Sequence, residues 1–276
     1  MRDLIEDLRA EQEDLDRILA GLDDRAWETV TPAEPWTIRD TVSHLAFFDE
    51  RELQAIRDPA GFAAEVNERL TNGIDLYMSL GIARGRSLAP SQVLDWWRTA
   101  RDAELLAFAG IAPDAKVPWY GPPMKASSAV TARLMETWAH GHDIADALGI
   151  ARPATARLFH IAELGVKTFS WSYLIRGLEV PSQKVSVVLA GPDGDTRVWN
   201  DSMSDSITGP VEDFCLVVAQ RRNYRDTALA IEGDIAESWM EVAQVFAGPP
   251  GPGRPPAGIA RPGSPAEALV KEPSPP

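Results

Sequence analysis

Apolar residues recur every three to four positions through the first 150 residues of this 276-residue chain, which is the spacing of a buried helix face. In residues 2–23 the recurrence is formed by Leu4, Ile5, Leu8, Leu15, Ile18, Leu19 and Leu22. The same pattern predicts further helices at 38–57, 59–80, 91–110 and 127–149. Amphipathic helices joined by short connections pack as antiparallel neighbours, so the chain is predicted to open with a bundle of four to five helices.

Polar residues and glycine mark where these helices begin and end. Thr37 is a candidate cap for the second helix, and Asp40, three residues later, is expected to support its first turn. Ser91 is a candidate cap for the fourth helix. Gly149 is expected to end the last helix of the bundle, because glycine readily adopts the conformation that closes a helix.

The pattern changes after a further helix predicted at 153–175. Apolar and polar residues then alternate around a Pro-Asp-Gly-Asp turn, which is typical of a β-hairpin. A strand, a helix with Pro210 in its first turn, another strand and a closing helix follow. The fold class is therefore predicted as mainly α with a small α+β unit. The predicted divisions are a helical bundle at 1–177, an α+β unit at 178–248 and a disordered proline-rich tail at 249–276.

The charge and the cysteine content exclude several kinds of function. The formal net charge is −14, from 41 acidic and 27 basic residues, and it argues against nucleic acid and anionic membranes as partners. The first residues lack the apolar core of a signal peptide, and no run approaches the roughly 18 apolar residues of a membrane helix. The lone cysteine, Cys215, excludes an intrachain disulfide and indicates a buried structural thiol. We expect a cytoplasmic protein that acts on a small molecule.

Histidine is scarce in this chain, and some of its histidine and acidic side chains are spaced as metal ligands would be. Glu136 and His140 are four residues apart on a predicted helix and project side by side, and Asp143 returns to the same face. Zinc accepts a carboxylate oxygen and an imidazole nitrogen, and a third ligand must come from another helix. His44, in a helix among apolar neighbours, is the candidate. A surface Glu–His pair and an ordinary core histidine stay open as alternatives, and His160 is expected to be structural.

Two stretches resemble the motifs of a known family. The segment PWTIRDTVSHLAFFDE is similar to the opening motif of the DinB-like metalloproteins, specifically the mycothiol-dependent maleylpyruvate isomerase group. The segment LMETWAHGHDIADALG resembles that group's second motif, E-x-W-x-H-x-x-D on a helix. Residues 178–247 resemble the sterol-carrier-like domain that these proteins attach. The resemblance implies a DinB-like four-helix bundle followed by a sterol-carrier-like α+β domain.

The resemblance also implies the residues of the site. The three metal ligands of the family correspond to His44, Glu136 and His140, and the expected ion is divalent, with zinc as the first candidate over nickel, iron or manganese. Arg133 and Asp143 are expected beside the ligands, where a carboxylate orients an imidazole or takes a substrate proton. An ordinary surface charge is the alternative for Asp143.

The resemblance implies a thiol-dependent chemistry. In that group the metal binds a low-molecular-weight thiol, mycothiol, and its thiolate adds to an electrophile to isomerise a double bond or to transfer sulfur. Arg133, Arg221 and Arg222 are candidates to hold an acidic or polar substrate. Trp119 and Tyr120, in a loop rich in proline and glycine, are candidate substrate contacts or lid residues, and simple packing of these rings is the alternative.

Three other functions stay open because the same ligands permit them. One is a metal-dependent isomerase, cyclase or hydrolase that needs no thiol. Another is a non-catalytic protein that binds a metal and a small ligand. The third is a structural metal clasp, which predicts that chelation unfolds the bundle. The oligomeric state stays open between monomer and homodimer.

Overall fold

The computed structural model describes residues 1–70, 74–200, 204–251 and 253–257, the side chains of residues 69, 70 and 74–78 excepted. It divides into two compact units, Met1–Pro153 and Ala154–Pro276. Each unit has its own apolar core.

The first unit is the predicted helical bundle. Its α2 helix packs against α3, α4, α5 and α6, and α1 packs against α5 and α6. The single helix predicted at 59–80 is two helices, with residues 71–73 between them outside the described residues. The six helices are α1 Arg2–Ala20, α2 Ile38–Arg57, α3 Pro59–Leu70, α4 Ile74–Arg86, α5 Pro90–Ala109 and α6 Ala126–Leu148.

The start of α2 is fixed by the predicted capping residues. The Thr37 side chain accepts a hydrogen bond from the Asp40 backbone N–H, and the Asp40 carboxylate accepts one from the Thr37 N–H, so both form a capping box. Arg86 of α4 also donates to Asp40 at 2.8 and 2.9 Å. These bonds satisfy backbone donors that a helix otherwise leaves unpaired, and they hold α2 in place at its first turn.

The start of α5 differs from the prediction. The capping position is Ala89, not Ser91, and the Gln92 side chain accepts a hydrogen bond from the Ala89 N–H at 2.9 Å. Pro90 occupies the first turn, where its missing N–H costs no helical hydrogen bond and its fixed φ suits a helix. The helix therefore starts two residues earlier than a cap at Ser91 indicates, because the proline directly before the serine suits its first position.

The loop predicted before α6 contains a short hairpin. Strand β1 Lys116–Val117 pairs antiparallel with β2 Met124–Lys125. Trp119 and Tyr120 lie in the turn between the two strands, and both are half-buried. The hairpin thus holds this aromatic pair against the bundle.

The α6 helix is buried along most of its length and ends as predicted. Gly149 follows it with φ 65° and ψ 30°, a left-handed conformation that glycine adopts without steric cost. Around it, large apolar side chains fill the bundle, among them Leu45, Trp97 and Ile144. Burying each such side chain stabilises the fold by about 1.5–3 kcal/mol, so the bundle has an apolar core independent of the candidate ligands.

The second unit is a four-stranded sheet with helices. The sheet order is β4-β3-β5-β6; β3 and β5 pair in parallel, and the outer pairs are antiparallel. The hairpin predicted around the Pro-Asp-Gly-Asp turn is β3–β4. Pro210 is the N-cap of α9 and not a first-turn residue. The elements are α7 Leu158–Lys167, α8 Phe169–Leu174, β3 Ser186–Ala190, β4 Thr196–Trp199, β5 Ser206–Pro210, α9 Val211–Val218, β6 Ala230–Glu232 and α10 Asp234–Val242.

Two details of the predicted organisation differ. The helix expected at 153–175 is broken at Thr168, whose hydroxyl donates to the carbonyl oxygens of Leu164 and Gly165. The resulting α7 and α8 pack against α9 and α10, so they belong to the second unit. The predicted boundary after residue 177 had placed them in the bundle. Packing partners far along the chain decide this boundary. The fold class, mainly α with a small α+β unit, is confirmed.

The first residues of the predicted disordered tail are bonded to the second unit. Asn223 donates to the Arg254 carbonyl at 2.8 Å, and the Ala257 N–H donates to Asp226 at 2.8 Å. Part of the segment predicted as disordered from residue 249 is thus bonded to the second unit, because its backbone finds polar partners. Disorder of the tail stays a prediction. Residue 252 and residues 258–276 lie outside the described residues.

None of the described helices is both long and apolar enough to cross a bilayer.

Four charged side chains form a buried ionic cluster inside the bundle: Asp49 and Glu52 of α2, Glu104 of α5 and Arg133 of α6. All four are at most 3% exposed. The Arg133 Nε lies 3.1 Å from Asp49 and 3.5 Å from Glu104. One guanidinium thus faces three carboxyl groups, and burial raises the pKa of each of the three. For Glu52 burial outweighs the opposing charge of Arg133 and brings the pKa to about 8.

This cluster predicts a pH-dependent stability. In the unfolded chain Glu52 titrates near its usual 4.5, so between that value and about 8 the folded protein holds a proton that the unfolded chain has lost. The free energy of unfolding therefore falls as pH rises through this window, by up to about 1.4 kcal/mol per pH unit for one proton. We expect Glu52→Gln to flatten this slope, measured by chemical denaturation at several pH values.

The matched control is Glu13→Gln, which removes an exposed carboxylate from α1 and should leave the slope unchanged. An identical slope in wild type and Glu52→Gln would contradict the assignment.

Candidate metal centre

Three predicted ligands come together between α2 and α6. His44 of α2 and Glu136 and His140 of α6 each offer one ligand atom, and these atoms all lie within 4.8 Å of one another. Both histidines are buried, at 7% exposure, and Glu136 is half-buried. The cluster is therefore shielded by protein on the histidine side and is most accessible at the Glu136 carboxylate.

Local geometry places two of the ligands and tertiary packing places the third. Glu136 and His140 are one helical turn apart, so α6 alone brings their side chains together. His44 arrives because α2 packs against α6. The His44 and His140 rings meet with centroids 4.9 Å apart at an interplanar angle of 65°.

The His140 ring is oriented by carboxylates on both of its nitrogens. Its Nε2 lies 3.4 Å from Glu136 Oε2, and its Nδ1 lies 3.3 Å from Asp143 Oδ2. Asp143 is fully buried. A carboxylate on the far nitrogen selects the tautomer and increases the basicity of an imidazole that binds a metal. Asp143 therefore has the position expected of a residue that orients a ligand.

The surrounding charges keep Glu136 ionised. Burial alone raises the pKa of this carboxyl, but the hydrogen bond with His140 and the positive charges of His140, His44 and Arg133 outweigh it and lower the pKa to about 2. An ionised carboxylate and two imidazole nitrogens are a donor set that zinc accepts, with further coordination positions left for water or substrate. The chemistry of these donors thus fits a divalent ion.

Aromatic rings border the ligand cluster. The Trp36 ring lies 4.8 Å from the His44 ring and 5.9 Å from the His140 ring, and Phe48 lies 4.7 Å from His44. Trp36 directly precedes the capping residue of α2, so the cap that fixes the helix also fixes this ring. No sequence pattern singles out Trp36 or Phe48 as a site residue; their proximity to His44 in the motif is the available signal.

The two predicted loop aromatics contact Phe48, which borders His44. Trp119 and Tyr120 lie 6.2 and 5.8 Å from the Phe48 ring. Trp119 also stacks on Phe62 at 5.8 Å with an interplanar angle of 8°. Both rings thus pack beside Phe48 and Phe62.

The three predicted arginines lie in different units of the chain. Arg133 lies one turn before Glu136 but directs its guanidinium to Asp49 and Glu104, so its influence on the ligands is electrostatic. Arg221 and Arg222 belong to the second unit, where Arg221 donates to the Ala219 carbonyl and Arg222 lines a cavity.

The remaining histidines and the cysteine do not join the ligand cluster. His142 packs its ring 4.5 Å from Trp138, and His160 lies in the second unit. Cys215 is fully buried, contacts the Leu158 carbonyl at 3.3 Å, and has a pKa raised well above the usual value by burial. A thiol in that state is not a nucleophile.

Comparison with known proteins agrees with the architecture. The chain resembles two uncharacterized proteins of Mycobacterium tuberculosis, from strains CDC 1551 / Oshkosh and ATCC 25618 / H37Rv. With each of them it is 43% identical over 255 residues, which cover 91% of this chain and 97% of the relative.

Two solved structures share the fold. They are crystal structures of the mycothiol-dependent maleylpyruvate isomerase and of a histidine-to-alanine mutant of it. Each matches with a TM-score of 0.53 at 16% identity and covers 80% of this chain and 89% of the solved chain. Residues 8–145 also match the family described as the mycothiol maleylpyruvate isomerase N-terminal domain, and they include all three candidate ligands. The chain therefore belongs to the mycothiol maleylpyruvate isomerase family.

Proposed function

We propose that this protein is a metal-dependent enzyme that activates a low-molecular-weight thiol, mycothiol or a close analogue, for isomerisation of, or sulfur transfer to, an electrophilic small molecule. The observation that carries the proposal is the convergence of the ligand atoms of His44, Glu136 and His140 within 4.8 Å. Membership of a family named for a mycothiol-dependent isomerase supports the thiol.

The proposed ligands hold a divalent ion, with zinc the first candidate. When bound, such an ion lowers the pKa of a coordinated thiol enough to favour the thiolate near neutral pH. Glu136 contributes a negative charge to the site, because its carboxyl stays ionised throughout the physiological range. A bound ion would take the place of the histidine protons as the positive charge beside Glu136, so the two imidazoles would offer neutral nitrogens to it. Asp143 keeps the His140 Nε2 directed toward Glu136.

The protein itself lacks a suitable nucleophile. Cys215 is the one cysteine of the chain, and it is fully buried in the second unit. An external thiol supplies the sulfur that this chain cannot. The aromatic side chains of Trp36 and Phe48 offer an apolar surface beside the ligands, against which the carbon skeleton of a thiol or an electrophile packs.

The structural-clasp alternative is disfavoured by the packing of the bundle. Its core of large apolar side chains surrounds α2 and α6 without using the ligands. We therefore expect the metal to be removable without unfolding.

The first prediction concerns metal content. Elemental analysis should find about one divalent ion per chain in wild type and almost none in His44→Ala and His140→Ala, because each variant leaves only two ligands. His160→Ala is the matched control and should retain the ion, since His160 lies outside the cluster. Thermal unfolding of all four proteins should show a retained fold.

Absence of metal from wild type after reconstitution would contradict the centre. Chelation that unfolds the bundle would favour the structural clasp instead.

A second prediction tests the orienting role of Asp143. Asp143→Asn keeps the size of the side chain but removes the charge that orients His140, so metal affinity should fall by about 10- to 100-fold. Competition with a chelator of known affinity measures the change. Asp146→Asn, on the same helix but about 120° round it from His140, is the control. Equal affinity in Asp143→Asn and wild type would remove Asp143 from the site.

The third prediction separates a thiol-dependent enzyme from other metal enzymes. A free thiol with a pKa of about 8.5 is mostly protonated at pH 7, so its binding to the metal should release about one proton per chain. Titration of mycothiol into zinc-loaded protein in dilute buffer, followed by pH, measures this release. The metal-free protein and His44→Ala should release none.

A hydroxyl analogue of the thiol serves as the chemical control. Metal-loaded protein that neither binds the thiol nor releases a proton would favour the thiol-independent isomerase, cyclase or hydrolase. Product analysis then distinguishes the two proposed reactions, because isomerisation regenerates the thiol and sulfur transfer consumes it.

A further inference from the structure

The second unit contains a cavity of about 140 Å³ whose lining is strongly basic. Four of its residues are arginines, and the one acidic lining residue is Glu241. The arginines come from the end of α8, the segment after α9 and the start of the tail: Arg176, Arg222, Arg225 and Arg254. Such a concentration of positive charge contrasts with the net charge of −14 of the whole chain.

The positive charge of Arg176 faces backbone carbonyl groups, which carry no net charge. Its guanidinium is half-buried and donates to the Ser172 carbonyl at 3.1 Å and to the Gly251 carbonyl at 3.3 Å. Burial lowers the pKa of this group, and among the described residues no carboxylate forms an ion pair with it. Neutral carbonyl oxygens do not neutralise the charge of this half-buried guanidinium, whereas an anion in the cavity would do so.

Glu241 compensates the charge of Arg225 only weakly. Glu241 lies 3.8 Å from Arg225, and both side chains are more than half exposed. An exposed ion pair at this distance contributes little and is screened by salt. The Arg225 guanidinium also lies over the Tyr224 ring at 5.0 Å, which holds it at the edge of the cavity.

The proline-rich segment completes the cavity. Its backbone is tied down where Asn223 donates to the Arg254 carbonyl at 2.8 Å and where Arg176 donates to the Gly251 carbonyl. Arg254 thereby joins the lining although it is far from the other arginines in sequence. The floor is apolar, formed by the buried side chains of Val217, Met240 and Ala243.

The size and the chemistry of the cavity decide what it can hold. Pockets for drug-sized ligands occupy about 300–1,000 Å³, so this cavity is too small for a nucleotide. Arginine side chains pair with the two oxygens of a carboxylate or phosphate in a fork. We propose that this cavity is a binding site for a small oxyanion, a phosphate group or a short carboxylate. The site lies within the second unit, and the proposal does not depend on the metal centre.

Calorimetric titration of the full-length protein at low ionic strength tests this site. Inorganic phosphate is the first probe and succinate the second, in a buffer that contains neither. We expect saturable binding of at least one of them, weakened by about 10-fold or more in Arg176→Gln and in Arg225→Gln, because each removes charged hydrogen-bond donors. The tighter of the two probes identifies the chemistry of the natural anion.

Arg197→Gln is the matched control. Arg197 is exposed on β4 of the same unit and lies outside the cavity, so this variant makes the same change in net charge and should bind as wild type does. His44→Ala should also bind normally, which separates this site from the metal centre. Arg225 is exposed, so Arg225→Gln is expected to fold, and its affinity for the probes tests the site if Arg176→Gln does not fold.

Three results would overturn the proposal. They are no saturable binding of either probe, an equal loss in Arg197→Gln and in the cavity variants, and loss of binding in His44→Ala.

Discussion

Packing of α2 against α6 is the interaction on which the candidate site depends. A single helix presents Glu136 and His140 side by side, but two ligands do not make a metal centre. The contact with α2 adds His44, and the capping box at Thr37 together with Arg86 fixes the first turn of that helix. The large apolar side chains between the helices supply the free energy that holds this contact.

The same two helices carry charge in two different ways. Around Arg133 the bundle buries three carboxyl groups, and the raised pKa of Glu52 shows that burial dominates there. One turn further along α6 the balance reverses, because hydrogen bonding and positive charge keep the Glu136 carboxyl ionised. Arg133 acts on both groups of carboxyls: it pairs with Asp49, and its positive charge helps to lower the pKa of Glu136. A carboxylate that stays ionised is the form that binds a cation.

The two units carry different chemical groups. The bundle holds the candidate ligands and an aromatic border, and family membership connects this unit with mycothiol. The second unit holds the buried, unreactive Cys215 and the basic cavity. The bundle thus carries donor groups suited to a cation and the second unit carries a basic cavity, in a chain that is acidic overall.

The sequence by itself determined the features that depend on neighbouring residues. The helical periodicity, the Thr37–Asp40 cap, the stop at Gly149 and the pairing of Glu136 with His140 all arise within a few turns of chain. The place of His44 was implied by resemblance to a family and not by its spacing. Tertiary structure decided what depends on distant partners: the engagement of Arg133 by Asp49, the approach of the Trp36 ring to the His140 ring, the assignment of α7 to the second unit and the docking of Arg254. These contacts join residues far apart in sequence, and no local preference specifies which of many possible partners a side chain meets.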